Sequence, residues 1–156
     1  MKKIILTLLI LAGTLGAFAQ NRNLERFAGE EGVSYVYISK AMLSLVSGMG
    51  NNTNINGVDI SAMAGKLDAL QVVSTDKPDA ARRLRAEARN LSTDNMEVLM
   101  QVIEEGTRVD FYTLKQGETI TDLLMLNDSG DNYTILQIKG RFTSEDIRSI
   151  TESVSK

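Results

Sequence analysis

The chain has 156 residues, 43% of them hydrophobic, and carries a formal net charge of −3 with neither histidine nor cysteine. Without imidazole or thiol groups it cannot build a Ser-His-Asp triad, a Cys-His dyad, a usual zinc site or a disulfide framework, so catalysis is disfavoured and no cofactor is expected. The acidic balance, which becomes about −5 once the two lysines near the N-terminus are removed, argues against a nucleic-acid partner.

The first nineteen residues have the pattern of a secretory signal peptide. Two lysines precede the apolar run Ile4–Leu11, and a small-residue Ala-Phe-Ala site ends at Ala19. The run is too short for a bilayer about 30 Å thick. We therefore expect residues 1–19 to be cleaved and residues 20–156 to form one exported domain, periplasmic or secreted, without a transmembrane segment. Since the chain has no cysteine, it also lacks the acceptor of a lipoprotein signal.

The mature chain predicts helices and strands that alternate at first and then give way to strands alone. In chain order the predicted elements are a helix at 23–28, a strand at 33–38, a helix at 40–46, a helix at 59–66, a strand at 67–74, a helix at 79–90, strands at 96–104, 108–114, 119–127 and 133–140, and a C-terminal helix.

Local signals support several of these boundaries. The four asparagines of Asn51–Gly57 indicate a mobile loop. The only proline, Pro78, stands where a first helical turn begins. Thr143-Ser-Glu-Asp146 has the pattern of a capping box, ahead of a helix whose apolar residues Ile147, Ile150 and Val154 share one side. The strand at 96–104 is the most ambiguous element, because its apolar residues also fit a helical face.

This order predicts one α+β domain, with a largely antiparallel sheet of about six strands and helices packed mainly on one face. Short Gly-containing links join the last four strands, as in a β-meander. One topology that the order allows is a ferredoxin-type unit extended by that meander, although strand order is not visible in the sequence.

Alternation in the last three strands produces two apolar sets. The predicted inward face consists of Val109, Phe111, Leu124, Leu126, Leu136 and Ile138. The other face holds Tyr112, Leu123, Met125, Tyr133 and Ile135. Either the chain's own helices cover this second set as ordinary core, or it is an exposed patch that meets a partner or an apolar ligand. We place the candidate interaction face on the second set, a hypothesis that fails if Tyr112 and Met125 are buried by the chain's own helices.

Charged and polar clusters offer further candidate sites, each with a simpler structural interpretation. Arg82, Arg83, Arg85 and Arg89 form a basic cluster that fits either an anionic partner or a solvated helix face. The loop Asn127–Asn132 offers oxygen ligands for calcium, but its spacing departs from the EF-hand, and a hairpin turn uses the same residue types.

Two pairs of adjacent glutamates raise the question of a hydrolase. A glycosidase needs two carboxyl groups held at a fixed separation across the sugar, and adjacent positions in sequence do not supply it. Glu30-Glu31 and Glu104-Glu105 are therefore interpreted as solvated charges. The chain also has no tryptophan and few other aromatic residues on which a sugar ring could stack.

Several segments together resemble a known family. They are Phe27–Val33 (Phe-Ala-Gly-Glu-Glu-Gly-Val), Val36–Met42, the hairpin series that ends in Ile138–Gly140, the acidic capped helix and the short leader. They resemble domain-of-unknown-function family 4252, small exported proteins of the Bacteroidetes. The resemblance covers nearly all of the mature chain and implies no activity and no site residue. Its genes often lie near extracytoplasmic-function sigma factors, which implies a role in an envelope response.

Many members of that family look like lipoproteins, whereas this chain has no acceptor cysteine, so the resemblance does not extend to membrane attachment. Composition and resemblance together predict a non-catalytic binding or interaction module whose partner is an envelope protein. The alternatives are a carrier or sensor of a small apolar ligand and, less favoured, a carboxylate-dependent hydrolase. The sequence sets neither the oligomeric state nor the role of the Asn-rich loop.

Overall fold

A computed structural model of the chain describes residues 24–48, 54–55, 58–59, 63–91 and 95–148. The predicted signal peptide, most of the Asn-rich loop and the end of the C-terminal helix, with Ile150 and Val154, lie outside these residues.

The described residues form strands and helices close to the predicted ones. In chain order they are β1 (Ser34–Ser39), α1 (Lys40–Gly48), β2 (Asn54–Ile55), β3 (Val58–Asp59), β4 (Leu67–Thr75), α2 (Pro78–Ala88), β5 (Glu97–Glu104), β6 (Thr107–Gln116), β7 (Thr119–Asp128) and β8 (Tyr133–Phe142). A last helix, α3, begins at residue 144 and is described to residue 148.

Two predicted helices are shorter than expected. The helix at 23–28 is a single 3-10 turn, Glu25–Phe27, which is followed by Gly29 in a left-handed conformation with φ of 87°. Within the helix predicted at 59–66, Asp59 instead pairs with Asn54 in the small β2–β3 ribbon, Ala64–Lys66 form a 3-10 turn, and residues 60–62 lie outside the described residues. Strand pairing therefore overrides the local helical pattern at Asp59.

The predicted helix-start signals are confirmed. Pro78 is the first residue of α2. At α3, the Thr143 N–H donates to Asp146 Oδ2 over 2.8 Å and the Asp146 N–H donates to Thr143 Oγ1 over 3.4 Å, which is the reciprocal pattern of a capping box.

One six-stranded sheet in the order β1-β4-β8-β7-β6-β5 organises the domain. Every neighbouring pair is antiparallel, so the predicted α+β class and the β5–β8 meander are both confirmed. Because β1 and β4 are antiparallel neighbours, the chain between them does not form the parallel βαβ crossover of a ferredoxin-type unit. Strands β1 and β5 are the two edges of the sheet.

Apolar residues cover both faces of the sheet. The first core lies under α1 and α3 and consists of Leu43, Met63, Leu67, Leu70, Val72, Phe111, Ile120, Leu123, Met125, Leu136, Ile138, Phe142 and Ile147. The second core lies under α2 and consists of Leu24, Phe27, Val73, Ala81, Leu84, Ala88, Leu91, Leu124, Tyr133 and Ile135. Of the helices in the described residues, α1 and α3 thus pack on the first face and α2 on the second.

A β-bulge in β7 changes which face its residues occupy. Near the turn Gln116 pairs with Thr119, but the register shifts by one residue between Leu114 and Lys115, so that Thr121 is the extra residue. Beyond the bulge Phe111 pairs with Met125 instead of with Leu124. The predicted face assignment of β7 is therefore wrong by one residue, because a single inserted residue moves every later side chain to the opposite face.

Candidate functional site

The five residues of the predicted interaction face do not share a surface. Leu123 and Met125 belong to the first core, while Tyr133 and Ile135 belong to the second. Tyr112 is half-buried at the margin of the second core. The bulge in β7 separates the pairs, and the helices cover both sets. The structure therefore favours the alternative that these residues are ordinary core.

Exposed apolar side chains occur instead on the edge strand β5. Val98, Leu99, Val102 and Ile103 are 59%, 41%, 39% and 68% exposed. Val98 pairs with Tyr112 and so faces the second-core side, whereas Val102 pairs with Val109 on the first-core side. Side chains on both faces of this strand are thus open to a partner.

The backbone of β5 is open along one side. Its other side pairs with β6, and no described strand pairs with the outer side. The hairpin turn Glu105-Gly106 has positive φ at both residues, 47° and 83°, as in a type I′ turn. Such a turn is closed by a hydrogen-bonded pair, Glu104 and Thr107, and bonded and non-bonded pairs alternate from there. Gln101 and Ile103 therefore direct their N–H and C=O groups toward the free edge.

Acidic residues flank the apolar part of β5. Glu97 begins the strand, and Glu104 and Glu105 stand at its other end, all three exposed. Lys115 Nζ lies 3.0 Å from the Glu97 carboxylate on the adjoining strand. Both ends of the edge strand thus carry carboxylates; Glu97 is balanced by Lys115, and Glu104 and Glu105 have no ion pair among the described residues.

Sequence reasoning missed this edge for a definable reason. The apolar residues of β5 do not alternate strictly and also fit a helical face, because Leu99 is the extra residue of a second β-bulge between Val98 and Met100. The sequence nevertheless contained a signal of exposed apolar surface. A strand with apolar residues at both odd and even positions has two apolar faces that other elements must cover. An edge position leaves them uncovered.

The opposite edge of the sheet also carries exposed apolar residues. Val36 and Tyr37 on β1, with Met42 and Leu45 on the adjacent α1, are each more than two-fifths exposed. Strand β1 has six residues against eight in β5, and α1 follows it directly. The β1 edge is therefore a matched comparison for β5.

A groove lies between α2 and strands β6–β8. It has a volume of about 440 Å³ and is lined by three arginines, two aspartates and two tyrosines, with Ala88 and Leu126 as apolar walls. Arg85 spans one end, where its Nε donates to Asp128 Oδ2 over 2.6 Å and its Nη2 donates to Asp128 Oδ1 over 2.7 Å. The same Nη2 reaches the Gly130 carbonyl at 2.8 Å.

Electrostatics in this groove follow from those contacts. Hydrogen bonds from Arg85 lower the pKa of Asp128 below its usual value and raise the pKa of Arg85 in turn. Burial raises the pKa of Tyr133 to about 12, and the Arg85 guanidinium lies 5.5 Å from the centre of its ring. Arg85, Asp128 and Tyr133 are therefore engaged with one another.

Asp110 is the least satisfied group of the groove. Its side chain is 9% exposed, and its Oδ2 accepts a hydrogen bond from Arg108 Nε over 2.8 Å. Its Oδ1 is buried and has no hydrogen-bond partner among the described residues. An ionisable oxygen in that position costs free energy unless a donor reaches it.

The predicted basic cluster is largely engaged within the protein. Arg82 pairs with Asp79, and Arg83 approaches the carbonyl of Glu31 at 3.3 Å. Arg85 is held by Asp128, which leaves Arg89, exposed at the end of α2, with no side-chain partner in the described parts of the chain. The four arginines therefore do not form a single anion-binding site.

The predicted calcium loop and the glutamate pairs are explained by local structure. In the loop after β7, the Gly130 N–H donates to Asp128 Oδ1 over 3.1 Å and the Ser129 N–H donates to the Asn132 carbonyl over 3.0 Å, as in a turn. Glu30, Glu31, Glu104 and Glu105 are exposed.

Among the residues described, no three His, Cys, Asp or Glu side chains are close enough to hold a metal ion. Nor does this part of the chain include a helix of the length and hydrophobicity needed to cross a bilayer.

The chain belongs to the family described as domain of unknown function (DUF4252), whose model matches residues 27–150. This span includes the whole six-stranded sheet and both candidate surfaces. No curated protein matches the chain.

Proposed function

We propose that this member of the family is a non-catalytic interaction module that binds an extended segment of another polypeptide at β5. The observation that carries the proposal is the edge strand itself. It combines an outer side that no described strand pairs with and four exposed apolar side chains on its two faces. A strand added there would satisfy the free N–H and C=O groups of Gln101 and Ile103 and cover those side chains, which is recognition by β-strand addition.

The charges beside β5 indicate the chemistry of the partner. In an antiparallel pairing centred on the strand, a second copy of the chain would place Glu97 opposite Glu104, and like charges in that position destabilise pairing. A segment with apolar residues between two lysines or arginines would instead complement the acidic ends. We therefore infer a different polypeptide with basic residues flanking its apolar part.

Export would determine the compartment in which the protein encounters this partner. The leader pattern of residues 1–19 supports an exported protein that works in the periplasm or outside the cell. An envelope protein is accordingly the partner that we propose. A connection with an envelope response follows only from the family resemblance and stays a hypothesis.

The alternative of a carrier for a small apolar ligand finds less support. Such a carrier needs an apolar cavity that opens to solvent. The groove beside α2 and a second groove of about 450 Å³ that includes Gln71, Asp122 and Lys139 are instead lined largely by charged and polar side chains.

Peptide binding tests the proposal. The probe is a short fluorescent peptide that alternates valine and threonine between two lysines, and its matched control carries two glutamates instead. We expect the lysine peptide to bind the exported protein at least about tenfold more tightly than the glutamate peptide in polarisation titrations. Equal binding of both peptides, or no binding of the lysine peptide, would overturn the proposal.

Two variants locate the binding edge. Gln101→Pro removes an N–H that faces away from β6, so the domain should keep its thermal midpoint while losing the peptide. Val36→Lys alters an exposed apolar residue on the opposite edge and should leave binding unchanged. Loss of binding in Val36→Lys with full binding in Gln101→Pro would place the site on β1 and refute the assignment to β5.

A further inference from the structure

We infer that the groove between α2 and strands β6–β8 binds a small zwitterion of the α-amino acid type, with its ammonium group at Asp110 and its carboxylate at Arg89 and Arg108. This site is separate from the β5 edge and does not depend on the function proposed for that strand.

The acceptor in the groove is identified by elimination. Asp128 already accepts two hydrogen bonds from Arg85 and one from the Gly130 N–H. Asp110 accepts from Arg108 through Oδ2 only, while its buried Oδ1 has no partner in the described structure. A cationic N–H donor from a ligand would satisfy that oxygen with a charge-assisted hydrogen bond, the stronger kind.

The donors in the groove are identified in the same way. Arg85 donates to Asp128 and to the Gly130 carbonyl, so its guanidinium is occupied. Arg108 contacts Asp110 through Nε, and no described contact involves its terminal nitrogens. Arg89 has no side-chain partner among the described residues. Two guanidinium groups on the groove lining are thus available for a carboxylate, whose geometry suits them.

The combination of charges excludes simpler ligands. An anion alone would leave Asp110 Oδ1 without a donor, and a cation alone would face the two available arginines. Ala88, Leu126 and Tyr112 add apolar surface to the lining, which favours an amino acid with an apolar side chain. Because Oδ1 is buried, a ligand reaches it only after a side chain moves, and the half-exposed side chain of Arg108, which bonds the other oxygen of Asp110, is able to move.

Calorimetric titration with amino acids tests the inference. The probes are the standard α-amino acids, with N-acetyl-leucine, leucine amide and inorganic phosphate as controls that lack one or both halves of the zwitterion. We expect leucine or another apolar amino acid to bind with a dissociation constant of about 1 mM or lower. Each blocked derivative should bind at least about tenfold more weakly.

Variants connect that binding to the groove. Arg89→Gln, at an exposed position, should weaken binding about tenfold without changing the thermal midpoint, and Asp110→Asn should do the same to binding. Arg82→Gln on the same helix is the matched control and should bind as the unchanged protein does. Ile103→Lys should also bind normally, which separates this site from the β5 edge.

Three outcomes would overturn the inference. If no standard amino acid binds, the groove is not a zwitterion site. If N-acetyl-leucine or phosphate binds as well as leucine, the groove holds an anion only. If Arg89→Gln and Asp110→Asn both bind normally, the ligand lies elsewhere.

Discussion

Arg85 and Asp128 join helix α2 to the end of strand β7 through two hydrogen bonds, 2.6 Å from Nε to Oδ2 and 2.7 Å from Nη2 to Oδ1. Both side chains are less than a third exposed. Arg85 reaches further to the Gly130 carbonyl, and Asp128 accepts from the Gly130 N–H, so the pair also fixes the turn that leads into β8. The helix over the second core is thereby tied to the sheet at the groove.

The Arg85–Asp128 pair predicts a pH-dependent contribution to stability. Because the folded-state pKa of Asp128 is lowered, its contribution is fully present above the unfolded value of about 4 and is lost as pH falls through the folded value. Asp128→Asn should lower the free energy of unfolding by about 1 kcal/mol at pH 7, a figure suited to a partly exposed pair. In urea titrations the difference between the two proteins should shrink below about pH 4.

The exposed pair of Arg82 and Asp79 supplies the control for this prediction. Arg82→Gln should change the free energy of unfolding by less than about 0.5 kcal/mol, because both side chains are more than two-thirds exposed. A loss in Asp128→Asn that stays the same from pH 7 to pH 3 would contradict the electrostatic explanation.

Gly140 marks a close approach between β8 and the start of β4. A Cβ at this position would contact the Lys66 carbonyl oxygen and would lie 2.6 Å from Phe142 Cε1. Gly140→Ala should therefore cost about 1–3 kcal/mol of unfolding free energy through overpacking. Gly65→Ala is the matched control, since a Cβ there meets nothing within 4 Å. Equal thermal midpoints for the two variants would contradict this prediction, since they would show that β8 and the start of β4 can move apart at no cost in stability.

Met125 and Ile103 distinguish the corrected core from the edge. Met125 is 3% exposed in the first core, and Met125→Asp should prevent folding because it buries an unpaired charge. Ile103 is 68% exposed, and Ile103→Asp should fold with a thermal midpoint close to that of the unchanged protein. Circular dichroism melting measures both. A folded Met125→Asp protein would restore the original hypothesis of an interaction face around Met125.

Proline substitution tests the orientation of the β5 backbone. Val102 forms a hydrogen-bonded pair with Val109, so Val102→Pro removes a ladder hydrogen bond and should lower the thermal midpoint by several degrees. Gln101→Pro removes an outward N–H and should have a much smaller effect. The reverse order of midpoints would mean that Val102, and not Gln101, faces the free edge.

The sequence predicts strands β5 to β8 well because the turns between them contain residues that leave little choice of conformation. Gly106, Gly117 and Gly130 have positive φ, and every strand from β5 to β8 begins or ends beside one of them. Pro78 and the Thr143–Asp146 box fix two helix starts in the same way. Local chemistry determines these boundaries without tertiary contacts.

The candidate site is not predictable in the same way, because it depends on strand order and on single inserted residues. The bulge residue Thr121 moved Leu123 and Met125 into the first core, and nothing in the local sequence distinguishes it from its neighbours. The exposure of Ile103 follows from the edge position of β5, which only the sheet order reveals. The pairing of Arg85 with Asp128 joins residues 43 positions apart.

Amide hydrogen exchange along β5, measured by NMR with and without the lysine-flanked peptide, tests the central claim most directly. In the free protein the amides of Gln101 and Ile103 should exchange rapidly, while those of Val102 and Glu104, which bond to β6, are protected. Saturating peptide should protect Gln101 and Ile103 as an added strand pairs with them. Unchanged exchange at these two amides under saturation, or new protection confined to β1, would contradict strand addition at β5.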